Sequence, residues 1–180
     1  MPEGGPINIG GIVIPSDHPA FLTIIAIHVS AGLTCVIAGL VAMLVRKQRG
    51  THTRTGKVYF ASVCVVFATA CIVAFMRWEE DFHLFILGVV SFSCAFAGRR
   101  AVRKKWRKWP VFHITGMALS YIFLLIAFYV DNGKFLPVWK YLDPVWYWVL
   151  PLVLGFPLLV FTLYRNPLSN GIFRRGEQND

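Results

Sequence analysis

Five apolar runs, each roughly 16 to 26 residues long and each closed by charged or turn-forming residues, constrain this chain more than any other feature. They cover Ala20–Val45, Val58–Met76, Phe82–Ala97, Val111–Val130 and Val145–Tyr164. A hydrocarbon layer of about 30 Å is crossed by about 20 residues rising about 1.5 Å each, so most of these runs are long enough to span it. The rest of the composition agrees. Of 180 residues, 56% are apolar and 15% charged, with a mean hydropathy of +0.58, which leaves too little polar surface for a soluble globule of this size. The expected fold is an all-α polytopic membrane protein of five transmembrane helices. Four would form a core, and the fifth, carrying Pro151 and Pro157 around Gly155, would be kinked and lie at the flank. Short connections make consecutive helices antiparallel neighbours.

Charge sets the expected orientation. Fifteen of the 18 Lys and Arg fall in the segments 46–57, 99–108 and 165–175, while Arg77, Lys134 and Lys140 lie on the opposite side with seven of the nine acids. Basic residues next to helix ends resist translocation. Residues 1–19 are therefore expected outside, 20–164 in the membrane, and 165–180 as a cytoplasmic tail, in the multi-pass topology of a bacterial inner-membrane protein. Residues 1–19 lack a basic leader, so the first apolar run is expected to be retained. Trp78, Trp139, Tyr141, Trp146, Tyr147 and Trp148 would mark the outer interface, and Tyr59, Trp106, Trp109 and Tyr164 the inner one.

The net charge of +9 invites comparison with nucleic-acid binders, above all at Arg99–Trp109, where Trp106 and Trp109 interleave with basic residues. A cytoplasmic loop between two spans has this composition anyway. Arg103, Lys104, Lys105, Arg107 and Lys108 are expected to face anionic lipid headgroups, with no nucleic acid as partner. Cys35, Cys64, Cys71 and Cys94 all lie inside spans without CxxC spacing, which makes them small packing residues rather than a disulfide framework. No GxxxxGK[ST], HExxH or GxSxG pattern occurs, so the common signatures of nucleotide hydrolysis, zincin chemistry and serine hydrolysis are absent.

Small residues stripe the first helix: Ser30, Thr34, Ala38 and Ala42 at four-residue spacing, beside Ala31, Cys35 and Gly39. Such stripes let helix backbones approach closely in lipid, which suggests a central position for that helix and leaves room for a homo-oligomer or another membrane subunit. His28 precedes this stripe. His113, Gly116, Met117, Ser120 and Leu124 share a face of the fourth helix, and His83 aligns with Leu87, Val90 and Cys94 on the third.

Ionisable groups at membrane depth are candidates for function. They sort into an outer tier containing His28 and His83, and an inner tier containing His52 and His113. Two histidine tiers in a helical bundle suit b-type haem, with an electron carrier or a respiratory-assembly subunit as the implied role. The outer pair is poorly levelled: measured from Ala20 and Phe82, His28 lies about 12 Å deep and His83 about 2 Å. An alternative is a transition metal such as zinc held outside by His28, His83, Glu80 and Asp131, in a membrane enzyme that activates water. In a third reading there is no cofactor: His28 donates to a carbonyl or hydroxyl, His52 and His113 cap helices or bind headgroups, Glu79–Asp81 form a solvated loop, and the protein is structural.

With these features laid out, the chain resembles the bacterial membrane family known as domain of unknown function 2306. The likeness rests on the histidine-led first helix with His28, Gly32 and Gly39, on the H-x-x-x-G-[KR]-x-Y loop formed by His52, Gly56, Lys57 and Tyr59, and on the fourth helix from His113 through Ser120 and Tyr121 to Asp131, Asn132 and Gly133. The loop departs from the family's frequent His-Arg pair, having Thr53 after His52. The resemblance implies a compact multi-helix membrane fold and directs attention to His28, His52, His113 and Asp131. Physically, Gly56 suits a tight turn, Lys57 a headgroup phosphate, and Tyr59 an interfacial anchor.

Overall fold

The computed structural model describes residues 7–9, 12–14, 18–46, 50–167 and 169. Lys47, Arg49, Arg174, Arg175, Glu3, Asp17, Glu177 and Asp180, which enter the charge asymmetry, lie outside the described residues, as does much of the segments 1–19 and 165–180.

Five long helices make up most of the described chain: α1 (Pro19–Leu44), α2 (Thr51–Met76), α3 (Trp78–Lys104), α4 (Trp109–Asn132) and α5 (Val145–Arg165). Each contains a membrane-length window of mean hydropathy between 1.6 and 2.4. Large apolar side chains cover their outsides, among them Leu33, Phe75, Ile86, Leu154 and Phe161, each about half exposed or more. Apolar surface on this scale requires lipid rather than water. The chain is a multi-pass helical membrane protein. A short antiparallel ribbon precedes the helices, β1 (Ile7–Ile9) with β2 (Ile12–Ile14), registering Ile7 opposite Ile14. Its signal was present in the sequence as two isoleucine-bounded triplets on either side of Gly10 and Gly11.

The chain divides into two compact units, Met1–Gly88 and Val89–Asp180, with the boundary inside α3. In the first, α1 packs along α2. Cys35, Ala38 and Gly39 are buried there, and the Cys35 thiol donates to the Tyr59 carbonyl across the helix pair, 3.8 Å away. Half of the expected small-residue stripe is on the other side: Ser30 and Thr34 are exposed. They can face lipid because Thr34 Oγ1 donates back to the Ser30 carbonyl at 2.8 Å, satisfying the hydroxyl within its own helix. Nor is α1 the most enclosed helix, since 17% of its apolar window is buried against 28% for α2.

Three boundaries differ from those read in the sequence. α2 begins at Thr51 rather than Val58, so His52 lies in its first turn and not in a loop before it. α3 begins at Trp78 rather than Phe82, so Glu79, Glu80 and Asp81 form its first turn rather than a solvated loop. Carboxylates are favoured at that position by the exposed N–H groups and dipole of a helix start, and Arg77, at the bend, pairs with both Glu80 and Asp81. α3 also runs on through Arg99, Arg100 and Arg103 to Lys104, because Arg and Lys are good helix formers and suit a helix C-terminus. Hydropathy alone ends each helix at its last apolar residue, but the helical backbone continues into the headgroup zone.

The tight turn before α2 falls at Gly50, with φ 120°, and not at Gly56, which lies inside the helix. Only glycine adopts that backbone readily. Gly50→Ala is therefore expected to destabilise by about 1–2 kcal/mol. A Cβ at Gly56 meets nothing within 4 Å, and Gly56→Ala is expected to stabilise by about 0.5–1 kcal/mol through helix propensity. Thermal unfolding of the two variants in detergent checks the contrast. Tyr59, expected at the interface, is instead 2% exposed and is among the largest fully buried side chains.

In the second unit, α4 buries Gly116, Ser120 and Leu124, the face marked in the sequence, together with Ile122 and Ile126. Its backbone crosses α3 at Gly98, so closely that a Cβ on Gly116 would lie 2.6 Å from the Cys94 carbonyl oxygen. One turn on, Ser91 Oγ donates to the Ser120 carbonyl at 2.8 Å. α5 is helical throughout, with both prolines inside it. It buries Tyr147, Pro151 and Leu159, and Gly155 of the same face packs against Ile122 of α4.

Candidate functional site

Three of the histidines, His28, His52 and His113, hold their rings by the same nitrogen. His28 on α1 places Nδ1 2.8 Å from Thr69 Oγ1 on α2. His52 on α2 places Nδ1 2.9 Å from the Ala42 carbonyl near the end of α1. His113 on α4 places Nδ1 3.2 Å from the Gly98 carbonyl on α3.

A carbonyl oxygen can only accept, so Nδ1 of His52 and of His113 must carry the proton. The same holds for His28 by a further step. Thr69 has one hydroxyl proton, and its Oγ1 lies 2.8 Å and 3.0 Å from the carbonyls of Val65 and Val66, to which it donates. Its lone pair therefore receives the His28 Nδ1–H. With the proton on Nδ1, the neutral form of each ring carries its lone pair on Nε2. Histidines that ligate a metal are commonly oriented in this way, with the far N–H donated to a carbonyl or other oxygen, which fixes the tautomer and raises ligand basicity.

His83 is oriented differently, its ring edge-on to Phe82 with centroids 5.7 Å apart. His18 caps α1, accepting from the Ala20 amide at 3.3 Å. The helix boundaries also change the levels of the tiers. Counted from Pro19 and Trp78, His28 is nine residues into α1 and His83 five into α3, an offset along the helices of about 6 Å rather than the 10 Å taken from hydropathy. His52 is one residue into α2 and His113 four residues into α4.

The acidic members of the alternative metal set are engaged elsewhere. Glu80 is exposed and paired with Arg77, and Asp131 Oδ2 accepts from Asn132 Nδ2 at 3.1 Å. Among the described residues no three His, Cys, Asp or Glu side chains come together as a metal ion needs. Arg103, Lys104, Lys105, Arg107 and Lys108 are all exposed, around a turn in which Lys105 has φ 50° and the Trp106 ring stands edge-on to Phe112.

Thr69 is the participant the sequence did not mark. Antiparallel arithmetic could have found it: His28 is nine residues after the start of α1 and Thr69 seven before the end of α2, so both lie at similar depth. The carbonyls of Ala42 and Gly98 carry no side-chain signal at all. Comparison of the chain with protein-family models, with curated proteins and with solved structures gives no match.

Proposed function

We propose that this is a b-type haem protein of the bacterial inner membrane, a small electron carrier or a subunit of a respiratory assembly, with its amino terminus outside and its basic connections against anionic lipid on the cytoplasmic side. The observation that carries the reading is the shared Nδ1–H donation of His28, His52 and His113. In the neutral ring that donation leaves the lone pair on Nε2, the nitrogen an iron would take. The residues fit the group in a second respect. In the sequence the histidines fall on successive apolar segments, His28 and His83 toward the segment ends on the acidic side and His52 and His113 toward those on the basic side. Bound haem supplies a one-electron iron couple. The chain's own part is to hold each imidazole in one tautomer and to keep water from the ring. The resemblance to the family of unknown function 2306 is part of this proposal, because its three stretches contain His28, His52 and His113.

Protein purified from haem-supplemented cells is expected to show a Soret band that shifts on reduction and that is lost in part in His28→Ala and in part in His113→Ala. The second reading is a structural or assembly protein, favoured by the fact that the same bonds tie α1 to α2 and α3 to α4. A colourless preparation that hemin leaves unchanged would decide for it.

A further inference from the structure

The connection between α4 and α5 has three properties that an ordinary extramembrane loop does not need. Much of its backbone is paired within the segment: Leu136, Lys140, Tyr141 and Leu142 donate their amides to the carbonyls of Gly133, Leu136, Val138 and Trp139 at 2.9–3.3 Å, and Pro137 and Pro144 have no amide to satisfy. Each amide paired in this way lowers the cost of moving the segment out of water.

Second, its side chains separate into an inward and an outward set. Trp139 stacks on Tyr129 of α4 with centroids 3.8 Å apart and planes 19° apart, and its carbonyl accepts from the Tyr147 hydroxyl at 3.3 Å. These contacts pin the segment to the helices beneath it. Phe135, Val138 and Tyr141 point the other way and are 41%, 72% and 80% exposed. Phe135 and Tyr141 close the 3-10 turns Gly133–Phe135 and Trp139–Tyr141, and Val138 stands just before the second, so the exposed apolar ridge of the segment is made of these three side chains.

Third, the only cations of the segment flank that ridge. Lys134 Nζ lies 5.0 Å from the centre of the Phe135 ring and Lys140 Nζ 4.9 Å from that of Tyr141. Aromatic rings with adjacent ammonium groups suit the boundary between acyl chains and phosphates.

We propose that this connection is an interfacial membrane anchor, its Phe135–Val138–Tyr141 ridge inserted into the phospholipid leaflet and Lys134 and Lys140 set against lipid phosphates. The occupant of the ridge is lipid rather than a protein partner: the segment joins two spans and so lies at the membrane boundary, and the ammonium groups beside the ridge, Lys134 and Lys140, complement phosphate, while Asp143 lies past it at the start of α5.

Substituted-cysteine labelling tests this in vesicles of phosphatidylethanolamine and phosphatidylglycerol containing the purified full chain at high dilution, made permeable to a charged maleimide on both sides. The four native cysteines lie within spans, and the unsubstituted chain supplies the blank. Rates for Val138→Cys, Tyr141→Cys and the exposed reference Glu79→Cys are each divided by the rate of the same variant after unfolding. Both ridge positions are expected to label at least about tenfold more slowly than Glu79→Cys in vesicles, and to approach it in a short-chain detergent. Labelling in vesicles as fast as the reference would overturn the proposal by placing the ridge in water. Slow labelling that persists in detergent would overturn it too, since the shield would then be protein.

Discussion

Gly116→Ala is expected to remove most folded protein from detergent extracts, whereas Gly155→Ala is expected to be rescued by Ile122→Ala. Both glycines meet a neighbouring helix, and both would bring a new Cβ far inside van der Waals distance. They differ in what is struck. At Gly116 the methyl would meet main chain, the Cys94 carbonyl oxygen at 2.6 Å and Gly98 N and Cα at 2.9 Å. Main chain in the middle of a helix has no rotamer to change, so α3 and α4 must separate. Separation also weakens the Ser91–Ser120 hydrogen bond and the His113–Gly98 contact. Overpacking costs about 1–3 kcal/mol, and a backbone collision belongs at or above the top of that range. At Gly155 the obstacle is the Ile122 side chain, with Cγ1 at 2.5 Å and Cδ1 at 2.6 Å. Those atoms can move or be deleted. The single variant is expected to lose about 1 kcal/mol or more and the double variant to recover much of it. Thermal stability by size-exclusion chromatography reads both. Equal tolerance of Gly116→Ala and Gly155→Ala would mean that the α3–α4 crossing is looser than its geometry.

Apolar run length and charged breaks were enough to read the five spans, because the need to satisfy every backbone amide in lipid allows little besides helices. The same reasoning misplaced helix ends by up to seven residues at α2 and α3. Hydropathy measures the solvent of the side chains, while a helix ends where its hydrogen bonds do, and Glu79, Glu80, Asp81, Arg103 and Lys104 are all compatible with helix beyond the hydrocarbon. The buried face of α4 was legible because Gly116, Ser120 and Leu124 share one four-residue spacing. On α1 the equivalent rule took in Ser30 and Thr34, whose small size fits a helix interface but whose self-satisfied hydroxyls fit lipid equally well. At the candidate site the histidines were visible by type and depth. Their orienting partners were not, since two of the three are backbone carbonyls and the third is a threonine with no motif around it.

That third partner allows the haem reading and the purely structural one to be separated. Thr69→Val is expected to weaken haem retention at the outer tier about tenfold or more and to leave the inner tier unchanged. Valine keeps the shape of threonine and removes the oxygen that receives the His28 Nδ1–H. His28 then loses the acceptor that holds its proton on Nδ1, and Nε2 is presented less often as a ligand. His52 and His113 donate to main-chain carbonyls that the substitution does not touch. Thr69→Ser restores the hydroxyl and is expected to restore retention. Hemin titration of the apoprotein, followed at the Soret band, resolves the result into one weakened and one unaltered component. Loss of both components together would point to general unfolding. If Nδ1 donation serves only to tie α1 to α2, hemin produces no titration in any variant and Thr69→Val lowers helix-pair stability by about 1 kcal/mol. The tautomer itself can be read without cofactor: the ¹⁵N resonances of His28 should report a protonated Nδ1 in the unsubstituted chain and a mixture in Thr69→Val. A protonated Nε2 in the unsubstituted chain would remove the orientation on which the ligand assignment depends.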